Sequence, residues 1–385
     1  MPDHELIVNA TAIGRRVDGI AVYGVHLVTA LWHRHTGPLT VYLNEEARDV
    51  FPPGAIPHGA PVRWVSAKLS PSYGSPGNLR RCLFANALAV RHAGAMVFGL
   101  SQLEAPIVGG GAVMVHDMIP WLFRESHPRQ SHFYRVYLRP ALTRAVAIVT
   151  PSQRTKDDLC RHYGIAAGRI HVIPHGCPVP LSTASGTSAR AGDPYVLWIG
   201  RDEPTKNLAA VVQAFRVASE QVALRLVLAG DGPPIPLTTS GLNGADGVTV
   251  VGAVSEREKL ALLDNAAALV CPSLYEGFGF APLEAMARGC PVVAAPSGAL
   301  PEVCGDAAIY ADPSQPAAMA AALVRIVKDA GFARGLAERG RARAAAMTWD
   351  ASVREHLAVF DRAARVRWAR AQAPCEPRAE ADVLE

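Results

Sequence analysis

The residues of this chain best suited to chemistry lie in four short segments. In Glu276-Gly-Phe-Gly-Phe-Ala-Pro-Leu-Glu284, two carboxylates flank a glycine-containing loop that leads into a helix, with Pro282 near its first turn and Gly289 at its end. Amides at such a helix start are unpaired and can hold phosphate oxygens, while Gly277 and Gly279 let a ligand approach the backbone. A carboxylate beside a phosphate-like site is unwelcome unless it accepts hydrogen bonds from hydroxyls, which sugars carry in number. The second segment, Gly200-Arg-Asp-Glu-Pro-Thr-Lys-Asn-Leu208, leaves a strand and enters a helix near Asn207, so Arg201 and Lys206 can balance a diphosphate without a metal. The third, His116-Asp117, follows a strand, which would expose it at a crevice edge. The fourth, His171-Val-Ile-Pro-His175, has the spacing of a zinc pair, but Pro174 prevents the helical face that spacing needs. No Asp-x-Asp run is present, so no metal site and no divalent ion are expected.

Each segment also has an ordinary reading. Arg201 and Lys206 fit a solvated basic loop, Glu276 a turn cap, Glu284 a helix N-terminus, and His116 a structural histidine. The aromatic and Arg residues of 121–139, among them Arg124, Arg129, Tyr134 and Arg135, suit an acceptor lipid phosphate or the plain cover of a helix.

Positioning these groups falls to alternating β-rich runs and helical patterns, the signature of α/β units on parallel sheets. Strands are expected at Leu6–Ala10, Leu39–Leu43, Ala95–Phe98, Ala112–His116, Ala147–Thr150 and His171–Ile173. A second series runs through Tyr195–Gly200, Arg225–Ala229, Val248–Val251, Leu269–Pro272 and Val292–Ala295. Between them, 178–193 is rich in Pro, Ser, Thr, Ala and Gly and reads as a linker. The expected organisation is an N-terminal domain over 1–177, that linker, a C-terminal domain over 194–348, a helix over 349–372 that crosses back toward the N-terminal domain, and a tail over 373–385. The linker and the terminal helix are the candidate hinges between two halves facing one crevice.

The 385 residues are 50% hydrophobic and 19% charged, which excludes wholesale disorder. A net charge of +4 is too weak for a dedicated nucleic-acid binder. Seven cysteines without a C-x-x-C pair suggest reduced thiols in the cytoplasm. The acidic N-terminus is not expected to be a signal peptide, and the least polar stretch, 93–115, carries Gln102, Glu104 and Pro106, so any membrane contact is expected to be peripheral.

Taken with Ala229-Gly-Asp-Gly232, Val251-Gly-Ala-Val-Ser255, Val172-Ile-Pro-His-Gly176 and Val115-His-Asp-Met-Ile-Pro120, the segments at 276–284 and 200–207 make the sequence resemble the GT-B retaining glycosyltransferases of family 4, or group 1, to about residue 345. The resemblance implies two Rossmann-like doubly wound domains facing a central crevice. It implies that Glu276 binds the donor sugar, Glu284 the ribose, and Arg201 and Lys206 the diphosphate. Val254 would meet the base, Phe280 and Ala281 would offer amides to the phosphates, and Leu283 would belong to the same donor site. From the N-terminal domain, Gly19 would lie near the phosphate and His116 near the transferred sugar. The spacing of Arg201 and Lys206 departs from the family, as does Arg15-Arg-Val-Asp-Gly-Ile20, where paired glycines are commoner.

The implied donor is a nucleotide-sugar, with no other cofactor. The His-Asp-Met-Ile-Pro run is similar to bacterial polysaccharide mannosyltransferases, which implies GDP-mannose and a glycan or polyprenyl-diphosphate-linked acceptor, with UDP-sugars open. Turnover would proceed by front-face attack with the leaving phosphate as base. A nicotinamide-dependent oxidoreductase would share the doubly wound fold, but the first strand lacks G-x-G-x-x-G.

Overall fold

A computed structural model of the chain describes residues 5–182, 193–201, 203–230 and 247–372. Most of the expected linker, the tail, and Asp231 and Gly232 of one motif lie outside the described residues.

The N-terminal domain runs β1 (Leu6–Asn9), α1 (Gly19–Arg34), β2 (Leu39–Asn44), β3 (Val62–Val65), α2 (Gly74–Arg91), β4 (Met96–Gly99), β5 (Ala112–Met114), α3 (Ile119–Leu122) and α4 (Pro128–Phe133). A wide helical turn over Tyr134–Leu138 then leads to α5 (Arg139–Arg144), β6 (Ala147–Thr150), α6 (Gln153–Tyr163) and β7 (Ile170–Val172). The C-terminal domain begins with β8 (Tyr195–Ile199), α7 (Leu208–Ser219), β9 (Arg225–Ala229), β10 (Val248–Gly252), α8 (Glu256–Asn265) and β11 (Ala268–Cys271). It continues with α9 (Phe280–Ala287), β12 (Val292–Ala294), α10 (Leu300–Cys304), β13 (Ala308–Tyr310), α11 (Pro316–Lys328) and α12 (Ala330–Ala346), and α13 (Trp349–Gln372) closes the described chain.

The first sheet has strand order β3-β2-β1-β4-β5-β6-β7 and the second β10-β9-β8-β11-β12-β13, with every described pairing parallel. Both reverse direction beside their first strand, so each is doubly wound with a switch point, β1/β4 in one and β8/β11 in the other. The fold is GT-B, as expected. Central strands such as β1, β4, β6 and β11 are buried at every position, which is why they read as unbroken apolar runs. Two strands, β3 and β13, escaped the sequence reading. β3 is an edge strand with exposed Arg63 in its middle, and β13 is an edge strand of three residues.

The helices are anchored by local chemistry. Asp18 accepts from the amides of Ile20 and Ala21 and so caps α1. Ser152 caps α6 through the Thr155 amide, and Ser255 with Glu258 forms a capping box on α8. The chain passes between domains twice. α13 follows α12 of the C-terminal domain but packs on α1, β4 and β6 of the N-terminal one. The two crossings lie side by side, since the Cys177 amide donates to the Met347 carbonyl at 2.8 Å. A β-carbon on Gly176 would come within 2.3 Å of the Trp349 nitrogen. Among the described residues no helix is long and apolar enough to cross a membrane.

Candidate active site

The carboxyl ends of both sheets open onto one crevice, a cavity of about 460 Å3 that both domains line. The loop from β11 to α9 forms its C-terminal wall. Within that loop the Glu276 carboxylate accepts from Lys206 Nζ and from Ser273 Oγ, each at 2.7 Å. Lys206 ends a short turn over Pro204–Lys206, and that turn is tied to the same loop because the Leu274 amide donates to the Thr205 carbonyl. Asn207, with φ +51°, then starts α7. Burial opposes the charge on Lys206, yet adjacent Glu276 holds its pKa above the ordinary lysine value. The two residues assigned separate ligands from the sequence are therefore partners of each other.

Glu284, on the inner side of α9, is 4% exposed. Its carboxylate accepts from Lys259 Nζ at 2.9 Å, and Lys259 also pairs with Glu256 at 2.9 Å. Burial raises the Glu284 pKa, and Lys259 pulls it back. Lys259 lines the cavity and was not picked out from the sequence, where Glu256-Arg-Glu-Lys259 resembles any solvated, well-capped helix start. Gly279, Phe280, Ala281 and Pro282 line the crevice at the start of α9, which no side chain caps, so Phe280 and Ala281 present the amides of an open helix N-terminus. Val254 lines the cavity as well. Leu283 does not: its side chain is fully buried in the C-terminal core and its amide donates to the Gly279 carbonyl at 3.4 Å.

Arg201 reaches across the crevice. Its guanidinium pairs with Glu203 at 3.3 Å and lies 3.8 Å from Asp18, the cap of α1. Gly19, the first residue of α1, faces the ring of Phe280, and a β-carbon there would lie 3.6 Å from it. Behind these, His116 departs from the exposed position expected at a strand end. It is 7% exposed, its Nε2 contacts the Leu100 carbonyl at 3.0 Å, and burial depresses its pKa to about 4. The ring packs edge-on against Tyr23 and beside His175. A neutral imidazole with one nitrogen already engaged lines the cavity. Asp117 was given no role from the sequence, yet it too lines the cavity. Burial pushes its pKa up to about 6; the Ile119 amide opposes this, Glu276 adds to it, and Lys206 lowers it. Tyr134 is likewise buried, with its hydroxyl accepting from Gln102 at 2.8 Å, so it covers no acceptor surface, whereas Arg124, Arg129 and Arg135 are exposed.

The domains touch beneath the crevice. Ser152 Oγ donates to the Gly277 carbonyl at 2.8 Å, and a β-carbon on Gly277 would come within 2.1 Å of the His116 carbonyl, so only glycine fits there. Glu302 accepts from the amides of Gln153 and Arg154 at 2.6 and 2.7 Å, and the Tyr275 hydroxyl donates to Asp158 at 2.7 Å. α6 thus docks on the C-terminal domain through its first turns. At the motif Ala229–Gly232, Gly230 has φ +146°, and a β-carbon on it would sit 1.7 Å from the Gly200 carbonyl, which brings the ends of β8 and β9 together under Arg201. Among the described residues no group of three or more His, Cys, Asp or Glu could hold a metal ion.

This arrangement can hold an anion beside a polyol: cations and open amides on one wall, hydrogen-bonding carboxylates among them. Residues 193–329 match the family described as Glycosyl transferases group 1, and residues 17–179 match Glycosyltransferase Family 4. The chain belongs to this glycosyltransferase family. An O-antigen chain mannosyltransferase B of Escherichia coli is 30% identical over 61% of this chain and 66% of its own length. An O-antigen chain mannosyltransferase RfbU of Salmonella typhimurium is 28% identical over 54% of this chain and 58% of its own. The chain thus spans between about half and two thirds of these relatives. Among solved structures, a sucrose-phosphate synthase from Thermosynechococcus elongatus superposes with a TM-score of 0.74 at 21% identity, covering 93% of this chain and 98% of that one. At that identity, the likeness is one of fold.

Proposed function

We propose that this family member is a retaining hexosyltransferase that moves mannose from GDP-mannose to a growing glycan or polyprenyl-diphosphate-linked acceptor, without a divalent ion. The observation that carries the reading is the meeting, in one crevice, of the Lys206–Glu276 pair with the uncapped start of α9. The names of the mannosyltransferase relatives support the choice of sugar and of polysaccharide synthesis.

In this reading the donor diphosphate takes the Lys206 ammonium as its counter-charge, and Glu276, released from that pair, turns to the sugar hydroxyls. As the anomeric carbon–oxygen bond breaks, charge builds on the leaving phosphate. Arg201, Lys206 and the amides of Phe280 and Ala281 are already oriented to receive it. The acceptor hydroxyl attacks from the same face and passes its proton to the departing phosphate oxygen. His116, neutral at pH 7, touches the sugar without competing for that proton. Glu284 takes the ribose hydroxyls, with Lys259 holding its carboxylate in place.

Thermal unfolding with GDP, UDP, GDP-mannose and UDP-glucose tests the reading. A ligand at about 100 times its Kd stabilises by about 2.7 kcal/mol, a Tm rise of roughly 3–8 °C. GDP and GDP-mannose should give it. A rise with UDP compounds alone would replace the donor, and a rise only with a nicotinamide dinucleotide would overturn the activity.

A further inference from the structure

One buried acid has no part in the chemistry described so far. Glu104 ends the short turn Gln102–Glu104 after β4, is fully buried, and forms no ion pair among the described residues. Its carboxylate joins the two loops that leave the switch point of the first sheet. Oε1 accepts from the Ala12 amide at 2.6 Å and lies 2.8 Å from Thr11 Oγ1, both in the loop between β1 and α1, while Oε2 accepts from the Ser101 amide at 2.9 Å in the loop after β4. A carboxylate survives burial only where donors of this kind offset its lost hydration.

Both loops run on into the crevice. Past Gly14 the first supplies Arg16, Val17, Asp18 and Gly19 to the N-terminal wall. The second holds His116 twice: the Leu100 carbonyl is 3.0 Å from its Nε2, and Gln102 Oε1 accepts from its amide at 3.4 Å. Glu104 therefore fastens the Asp18 side of the wall to the His116 side.

The Thr11 hydroxyl makes this bracket sensitive to a single proton. It stands between two acceptors, Glu104 Oε1 at 2.8 Å and Asn9 Oδ1 at 2.9 Å, and has one proton to give. While Glu104 is ionised, that proton goes to the carboxylate, and the Ala12 amide keeps a charged acceptor. With a proton on Oε1 the carboxyl donates to Thr11, Thr11 donates to Asn9, and the Ala12 amide faces a hydroxyl. Asn44 holds the loop from its other side, donating to the Thr11 and Ile13 carbonyls at 2.9 and 2.7 Å, so protonation slackens the loop without releasing it. From α2 the groups facing Glu104 are the Arg81 guanidinium, which favours the charged form, and the Cys82 thiol. Burial outweighs Thr11, Arg81 and the two amides and pushes the Glu104 pKa up to about 7.

We infer that Glu104 is the positioning residue of the N-terminal wall: its carboxylate sets the β1–α1 loop against the turn that holds His116, and a proton on it slackens that wall. The inference rests on the proposed function only in taking this wall as the acceptor's side of the crevice.

Amide hydrogen exchange of the full chain, corrected for the intrinsic effect of pH, tests it over residues 10–20. The protonated fraction of a group with a pKa of about 7 falls about tenfold between about pH 6 and about pH 8, so exchange in the loop should slow about tenfold with a midpoint near 7. In E104Q the side-chain amide turns a donor toward the N–H of either Ala12 or Ser101, so the loop should exchange fast at both pH values. T11V, which keeps Glu104, removes the hydroxyl bond that holds the carboxyl down and should move the midpoint upward. The share of Glu104 in global stability runs the other way: its folded pKa is raised, so that share is present below about 4.5 and is lost as pH rises through about 7. A loop that tightens over that range is not following it. Exchange that is alike at both pH values in the parent, a transition that survives in E104Q, or an unmoved midpoint in T11V would overturn the inference. Tm shifts with GDP and UDP, whose proposed contacts lie on the C-terminal domain, should be equal in E104Q and the parent, and their loss in E104Q alone would make the change global and overturn it as well. Absence of both shifts in the parent would count against the proposed function and leave the exchange measurement to decide this one.

Discussion

Replacing Lys206 with Met and Glu276 with Gln, singly and together, separates the two duties proposed for this pair. At 2.7 Å the charges attract by about 6 kcal/mol at an effective dielectric of about 20. Desolvation takes most of that back. Both side chains keep some solvent access, 29% for Lys206 and 13% for Glu276, which reduces it further. A net coupling of about 1–3 kcal/mol remains. In urea unfolding, K206M should therefore lose more stability than the double variant, because it alone leaves a carboxylate facing only Ser273. Binding should split the other way. K206M removes a charge-assisted hydrogen bond to phosphate, about 1.5–3 kcal/mol, and should weaken the nucleoside diphosphate about ten- to hundredfold in calorimetry. E276Q releases the ammonium from its internal partner, so the free diphosphate should bind as well as before or better. Turnover of E276Q should still fall more than tenfold, because the sugar contact is gone. If E276Q weakens the nucleoside diphosphate as much as K206M does, or if the two stability losses simply add, the exchange of partners is wrong.

Two other consequences can be measured directly. His356 is fully buried, bonded to the Tyr23 hydroxyl at 2.9 Å, and burial lowers its pKa to about 4. Between that value and the ordinary 6.5 the unfolded chain binds the extra proton, so this group adds stability that is present above 6.5 and lost as pH falls through 4; H356Q should flatten the curve of unfolding free energy against pH in that window, and an unchanged slope would refute the burial argument. Gly277→Ala must push its β-carbon off the His116 carbonyl, 2.1 Å away. Turnover should fall roughly a hundredfold through misplacement of the two walls, with nucleoside diphosphate affinity preserved in the C-terminal domain, whereas normal turnover would show that the contact gives way cheaply.

What could be read from the sequence follows from where the information lies. Strands buried on both faces announce themselves as apolar runs, and the motifs at 200–208 and 276–284 sit where such strands end. The pairings of Lys206 with Glu276 and of Lys259 with Glu284 join residues 70 and 25 positions apart and depend on how loops from different strands converge. The burial of His116 was illegible for the same reason: a strand end exposes a residue unless distant segments cover it. Here Tyr23 from α1 and His175 from the domain crossing do so. Asp117, noticed beside His116, was given no role because a lone acid after a histidine says nothing until Glu276 and Lys206 stand near it.

The side-by-side crossings at Cys177 and Met347 have a mechanical meaning. Two strands of chain joined at one point act as a pin, and bodies held by a pin turn about it more readily than they slide. In such a turn Gly176 against Trp349, beside the pin, would travel least, and Arg201 against Asp18, across the crevice, would travel further. A turn about that pin would change the aperture of the crevice and would part the Arg201–Asp18 contact across its mouth.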